Sequence, residues 1–252
     1  VIKQSELVLY LNEFLKCTKY NDYAPNGLQI EGAAIIQRIC TAVTASDDVI
    51  TQAVAWGADT LLVHHGYFWK GENPVITGMK RQRISQLLMH DINLLAYHLP
   101  LDCHLELGNN ACLAKLFSLE SVQSHKVGVI DNLLWSGTLP NAMNGMQLAE
   151  FLGKNLNRFP VHIAGNDKEI KTVAWCSGAA QDYIEEAHQL GVDAYLSGEI
   201  SERTYYQAKE LGIHYYSCGH HATERYGIQA LGTFLADAFK LDHLFIDSSN
   251  PI

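Results

Sequence analysis

Apolar and polar positions along this chain fall into short apolar runs separated by segments of helical period. Residues 5–16 repeat at helical spacing behind a Ser5 cap, and 20–32 (YNDYAPNGLQIEG) is a turn-rich loop marked by Pro25 and Asn26-Gly27. A strand at 39–43, a helix at 47–56 closed by Gly57 and a strand at 58–63 follow. Next come a polar-aromatic loop at 67–78, a helix at 80–90 and a strand at 93–98. A loop over 102–110 leads into a helix at 111–117. This alternation predicts an α/β protein, its largely parallel sheets covered by helices.

The middle of the chain offers a strand at 133–139, a helix at 145–156 and a strand at 160–164. The earlier pattern then resumes, with strands at 173–177, 193–197, 213–218 and 243–247 and helices at 182–190, 203–211 and 222–239. An offset of 134 residues places Ile39 over Val173, Ile50 over Ile184, Gly57 over Gly191 and Asp59 over Asp193. His65 then falls over Glu199, and the strands at 92–97 and 213–218 correspond at an offset of 121. The 13-residue difference lies in the longer 67–79 loop. Such self-similarity predicts two similar α/β halves related by internal pseudo-symmetry, roughly 1–125 and 126–252, with one continuous sheet as the alternative.

Composition narrows the function classes. A formal net charge of -9 argues against sequence-independent binding of duplex nucleic acid, which needs a basic face. It leaves room for a nucleotide held through metal ions, because bound cations invert the local field. The six cysteines form no C-x-x-C pair, and no apolar run is long enough for a membrane span. With no signal-peptide pattern either, a cytoplasmic location is expected. Twelve histidines matter through their placement rather than their number.

Three stretches place histidine and carboxylate just past an apolar run: His64-His65-Gly66, His98 with Asp102, and His220-His221 with Glu224. Open α/β sheets build their sites at the carboxyl ends of strands. Neighbours on a regular strand point to opposite faces, so His64 and His65 can share a site only if the strand breaks, which Gly66 makes cheap. Taken alone, the pair also reads as one core and one surface histidine. Asp102 alone reads as a loop or cap residue, and His98 as a ligand, a proton carrier or a satisfied core group. His104 and Glu106 read as exposed loop residues. His220 and Glu224, four apart at a helix start, suit either a metal or an ion pair.

The conjunction of three clusters points to a two-metal hydrolytic centre. Imidazole and carboxylate without thiolate suit zinc, iron, manganese or nickel. Five protein ligands exceed what one catalytic zinc uses, whereas two ions roughly 3.5–4 Å apart would share them and activate water. No G-x-G-x-x-G, P-loop or G-x-S-x-G elbow supports a dinucleotide, nucleoside-triphosphate or serine-hydrolase site. Tyr67-Phe68-Trp69-Lys70 reads either as a base-stacking surface or as a subunit contact.

DYAPNGLQIEG (22–32), HHGYFWKG (64–71), HLPLD (98–102) with ELGNNA (106–111), and GHHATER (219–225) together resemble the NIF-three-like dinuclear metal-centre family. Its members are called GTP cyclohydrolase I type 2 homologues, and the resemblance is to the short bacterial type. It implies a two-domain α/β chain assembled as a ring-shaped homohexamer. It implies two divalent ions per subunit on His64, His65, Asp102, His220 and Glu224, with His98 beside them for proton transfer. The cyclohydrolase label implies activated water attacking C8 of a guanine ring. Two classes follow: a metal-dependent hydrolase acting on a nucleotide-like small molecule, or a non-enzymatic metal-binding ring or interaction scaffold.

Overall fold

The computed structural model describes the whole chain, Val1–Ile252, which divides into two compact units. One comprises residues 1–101 and 227–249, the other residues 102–226 and 250–252. The first unit opens with β1 (Ile2–Lys3), α1 (Gln4–Phe14), β2 (Gly27–Ile30), β3 (Ile35–Ile36) and β4 (Arg38–Thr44). It continues through α2 (Asp47–Trp56), β5 (Thr60–His65), α3 (Gly78–Met89) and β6 (Asn93–Ala96). The short α4 (Leu99–Asp102) ends on the first residue of the second unit.

That unit holds α5 (Asn109–Leu116), β7 (Glu120–Val127), β8 (Ile130–Met143), α6 (Gly145–Leu156), β9 (Val161–Ile163) and β10 (Ile170–Cys176). It goes on with α7 (Ile184–Gln189), β11 (Ala194–Ser197), α8 (Glu202–Leu211) and β12 (His214–Ser217). The division then falls within α9 (His220–Phe239), and β13 (Asp242–Phe245) belongs to the first unit.

The first unit's main sheet runs β13-β4-β5-β6-β2, all parallel except the antiparallel edge β2. Its strands carry near-continuous apolar runs such as Leu61-Leu62-Val63, as strands covered on both faces do. Val49, Ile50 and Ala53 of α2 and Ile84 and Leu87 of α3 pack on that sheet. α2 is bounded as its sequence dictates. Ser46 Oγ accepts from Val49 N, Asp47 and Asp48 occupy the first turn, and Gly57 closes it at φ 74°.

The second unit's sheet runs β7-β8-β10-β11-β12-β9, of which only β10, β11 and β12 are mutually parallel. Its core gathers Trp135, Trp175, Leu196 and Tyr216 with Leu148 and Leu152 of α6. Asn144 and Gln147 close a capping box at the start of α6.

The repeat read from sequence reappears in the pairing registers. Ile39 pairs with Thr60 and Val173 with Ala194, both separated by 134; Thr60 pairs with Asn93 and Ala194 with His214, at the second offset of 121. In each sheet the parallel strands, β13-β4-β5-β6 and β10-β11-β12, end on one antiparallel neighbour drawn from earlier in the chain, β2 or β9. Even a local device is duplicated. Asp59 Oδ2 accepts from Gln37 N and Arg38 N, and Asp193 Oδ2 accepts from Lys171 N and Thr172 N.

Several expectations need correction. The 20–32 loop contains β2, which its Pro25 and Asn26-Gly27 turn signals mask. The β7–β8 hairpin was hidden because β7 is mostly exposed and polar, and β8 is far longer than its apolar centre at 133–139. Asp102 ends a helical turn rather than opening a loop. None of the helices is long and apolar enough to cross a membrane.

Candidate metal centre

His64 and His65 end β5, and the strand does not break to bring them together. The ladder runs on through Thr44 opposite His65, yet the two ring centroids lie 4.6 Å apart. The chain stops its extended course at Gly66, and strand side chains lean along the strand direction, so both rings project past the strand end. Gly66 is required for a different reason from a break. A Cβ there would collide with Gln29 Oε1 and with Ala96 Cβ. Gln29 Oε1 instead accepts from Tyr67 N at 2.7 Å, tying the turn to β2.

His98 follows β6, with its ring centroid 5.1 Å from His64 and 5.8 Å from His65. Ligand atoms of these three histidines all lie within 4.8 Å of one another. Each ring has its Nδ1 engaged: His64 with Tyr97 O at 2.9 Å, His65 with Thr44 Oγ1 at 3.1 Å, His98 with Asp22 Oδ1 at 2.7 Å. That is how metal-binding imidazoles are held, one nitrogen fixed by the protein and the other kept for the ion. Trp69 donates Nε1–H to Gly66 O and stands edge-on to His98 at 5.0 Å. Tyr67 is core, its hydroxyl donating to Ala45 O, and Phe68 packs on the same core under Lys80. Of the three aromatics only Trp69 stands against the histidines.

In the second unit, Asp102 and Glu224 are 6% and 2% exposed, with ligand oxygens within 4.8 Å of each other. Asp102 Oδ1 accepts from Asn109 Nδ2 at 2.8 Å and Ser177 Oγ at 3.1 Å. His220 at the start of α9 bridges two carboxylates: Nδ1 meets Glu199 Oε1 at 2.6 Å and Nε2 meets Glu224 Oε2 at 3.2 Å. Burial lowers the His220 pKa, but hydrogen bonds and charge from Glu224 and Glu199 outweigh it and raise it to about 9. His221 is buried rather than facing this group from the surface, and its N–H donates to Ile252 O. His104 accepts from Glu106 N and Leu107 N, the local turn role expected of a loop residue.

These residues suit a divalent cation. Two buried carboxylates this close need positive charge to offset their desolvation. Gly178, at φ 69°, leaves the space beside them open: a Cβ there would overlap Glu224 Oε1 and crowd His220 Nε2. The groups of candidate donors contain histidine, aspartate and glutamate but no cysteine. Burial first, then the negative charges of Asp102, Cys103 and Glu224, push the Cys176 thiol pKa well up. All six cysteines are free.

Sequence reasoning passed over Asp22, which sits in the turn-rich loop with no motif of its own. It also passed over Ser177 and Gly178. Glu199 had a signal, since the repeat lays it over His65.

The chain can now be placed among known proteins. A model of the family described as Duf34/NIF3 (NGG1p interacting factor 3) matches residues 2–251. A Yersinia pestis protein called GTP cyclohydrolase 1 type 2 homolog is 49% identical over 251 residues, covering 99% of this chain and 100% of its own. A Vibrio cholerae protein of the same name is 51% identical over 249 residues, 98% of each. The solved structure of a protein described as ybgI, of unknown function, superposes with a TM-score of 0.95 at 47% identity over 100% of both chains. With both units matched throughout, the chain belongs to the Duf34/NIF3 family.

Proposed function

We propose that His64, His65, Asp102, His220 and Glu224 hold two divalent metal ions, and that the protein uses them to hydrolyse a nucleotide-like small molecule. The observation that carries this reading is the donor chemistry. Two ligand imidazoles, His64 and His65, have Nδ1 tied back to the protein, and two buried carboxylates lie within 4.8 Å of each other beside the His220 imidazole. The set is nitrogen and oxygen only, suited to zinc, iron, manganese or nickel. Divalent ions bound there supply Lewis acidity and make water a usable nucleophile near neutral pH. The chain's own contribution is positional. Tyr97 O and Thr44 Oγ1 fix the His64 and His65 rings, Asn109 and Ser177 fix Asp102, and His98 takes up and returns a proton at Nε2. Trp69 stands edge-on to the His98 ring at 5.0 Å. The names of the Yersinia and Vibrio relatives support a purine nucleotide as the first substrate to try.

The test is metal content of the purified protein by mass spectrometry, with turnover of a nucleotide and phosphoester panel for wild type, His64→Ala and Glu224→Gln. Both variants are expected to lose metal and turnover together. Hydrolysis that persists in metal-free protein would sink the catalytic assignment. One observation favours the second reading, a non-enzymatic metal-holding or scaffold protein: Tyr67 is buried and Phe68 partly buried against the core, which reduces the stacking surface a base would use. A metal-replete protein that turns over nothing in the panel selects that reading. The resemblance also carries a hexameric ring in the cytoplasm, and light scattering at six times the 28.1 kDa chain mass checks the assembly.

A further inference from the structure

We infer that Asp22 is the positioning residue for His98, holding its ring with hydrogen on Nδ1 so that Nε2 is always the nitrogen presented. This rests on the reading above in one respect only, namely the use made of that nitrogen.

Asp22 lies 76 residues from His98 in the chain, and its side chain is 2% exposed. Its carboxylate takes four hydrogen bonds. Oδ1 accepts from Tyr23 N at 2.6 Å and His98 Nδ1 at 2.7 Å; Oδ2 accepts from Asn26 Nδ2 at 2.8 Å and Leu99 N at 2.9 Å. Asn26 completes the grip by accepting His98 N on its own Oδ1 at 2.8 Å. One loop therefore holds the backbone of His98, the start of α4 and the imidazole ring at once. Rings on two sides fix the plane: Tyr23 at 6.2 Å and 68°, Trp69 at 5.0 Å and 86°.

An ionised carboxylate only accepts. Every group facing Asp22 must then be a donor: the two backbone N–H groups have no alternative, and Asn26 is held with its NH2 toward Asp22 because its own Oδ1 accepts from His98 N. The ring is the one partner able to change, and the carboxylate obliges it to carry hydrogen on Nδ1. A buried carboxylate that selects a histidine tautomer in this way controls which nitrogen does chemistry.

Asp22→Asn keeps the shape and reverses the instruction. Its NH2 must face a donor on either side; on the Oδ1 side His98 relieves the clash by moving its proton to Nε2, whereas on the Oδ2 side Asn26 could turn only by giving up the bond its Oδ1 takes from His98 N. The lone pair is then turned away into the loop. A merely structural Asp22, acting as a cap for α4, would leave the tautomer unchanged.

The experiment is 15N-histidine NMR on metal-free protein at pH 8, with the His98 signals assigned by their loss in His98→Gln. Wild type should show Nδ1 protonated and Nε2 bare, and Asp22→Asn should show the reverse. A wild-type ring protonated on Nε2 or on both nitrogens overturns the inference, and so does a variant that keeps the wild-type pattern. The wild-type spectrum decides even if Asp22→Asn folds poorly. In metal-loaded protein, Asp22→Asn should lower kcat about 100-fold with metal content and KM unchanged, the size of one lost proton-transfer group. If the wild type proves inactive on every substrate, the hydrolase reading fails, while the tautomer measurement still judges this inference by itself.

Discussion

At the scale of single residues, two glycines make the strongest demands. Gly178 combines a positive φ with the position where a Cβ would overlap the Glu224 carboxylate and crowd His220 Nε2. Gly178→Ala should therefore strain the backbone by about 1–3 kcal/mol and displace a proposed metal ligand. The expected result is at least a tenfold loss of metal affinity by calorimetric titration, with a modest fall in unfolding midpoint. Unchanged affinity would mean that this space is not used by the ion. Gly66→Ala should act differently, by prising Gln29 and Ala96 from the turn after β5. The histidines themselves were legible only through the conjunction of three clusters past apolar runs, since the pair taken alone also reads as one core and one surface residue. Asp22 was not, because a lone aspartate in a turn-rich loop carries no periodicity. Its meaning comes only from His98, which the fold brings back from 76 positions away. Glu199 was half legible: the repeat register pointed to it, while its contact with His220 needed the folded second unit.

Among the elements, the two sheets show why the fold class could be read while two of their four edge strands, β2 and β7, could not. The parallel strands are buried runs separated by capped helices, and their registers reproduce both sequence offsets. β2 and β7 are edge strands, and an edge half open to water has no apolar signature. The repeated staple gives a paired test. Asp59→Ala and Asp193→Ala each leave two backbone N–H groups without their charged acceptor and should cost about 1–3 kcal/mol in urea unfolding. Asp193→Ala should be the worse, because Thr172 Oγ1 also donates to that carboxylate at 2.8 Å. Equal, near-zero costs would refute the staple. A further edge strand, β9, carries a pH dependence. His162 Nε2 meets His214 Nδ1 at 3.0 Å, and its ring stacks on Tyr216 at 4.4 Å. Burial first, then the charges of His214 and Lys209, bring the His162 pKa down to about 4. An unfolded histidine titrates near 6.5, so the unfolded chain binds the extra proton first. Stability from this ring is fully present above about pH 6.5 and is lost as pH falls toward 4. Hydrogen exchange of the β9 amides should accelerate over that window in wild type and lose the dependence in His162→Phe; identical profiles would remove His162 as the cause.

For the whole molecule, the proposed ions should be a stability term as well as a chemical one. The chain carries a formal charge of -9, and two of its carboxylates, Asp102 and Glu224, are buried within 4.8 Å of each other. Folding without a cation confines that charge in a low-dielectric interior, whereas the unfolded chain leaves it in water. A divalent ion that binds the folded form and not the unfolded one adds about 2.7 kcal/mol at a hundredfold excess over its Kd. For a chain of this size each kcal/mol moves the midpoint by roughly 2–4 °C, so metal should raise Tm by roughly 5–10 °C. Calorimetry on chelated protein, before and after manganese or zinc is restored, measures the shift. Glu224→Gln keeps the side-chain volume but removes one of the two charges that need the ion. Its Tm should respond to metal by less than a third of the wild-type shift. An equal response in wild type and variant would show that the stabilising ion sits elsewhere, and no response in either would remove the metal centre as a structural element. The test is independent of any substrate. It asks whether the donors that sequence position and donor chemistry single out behave as ligands, before any reaction is assigned to them.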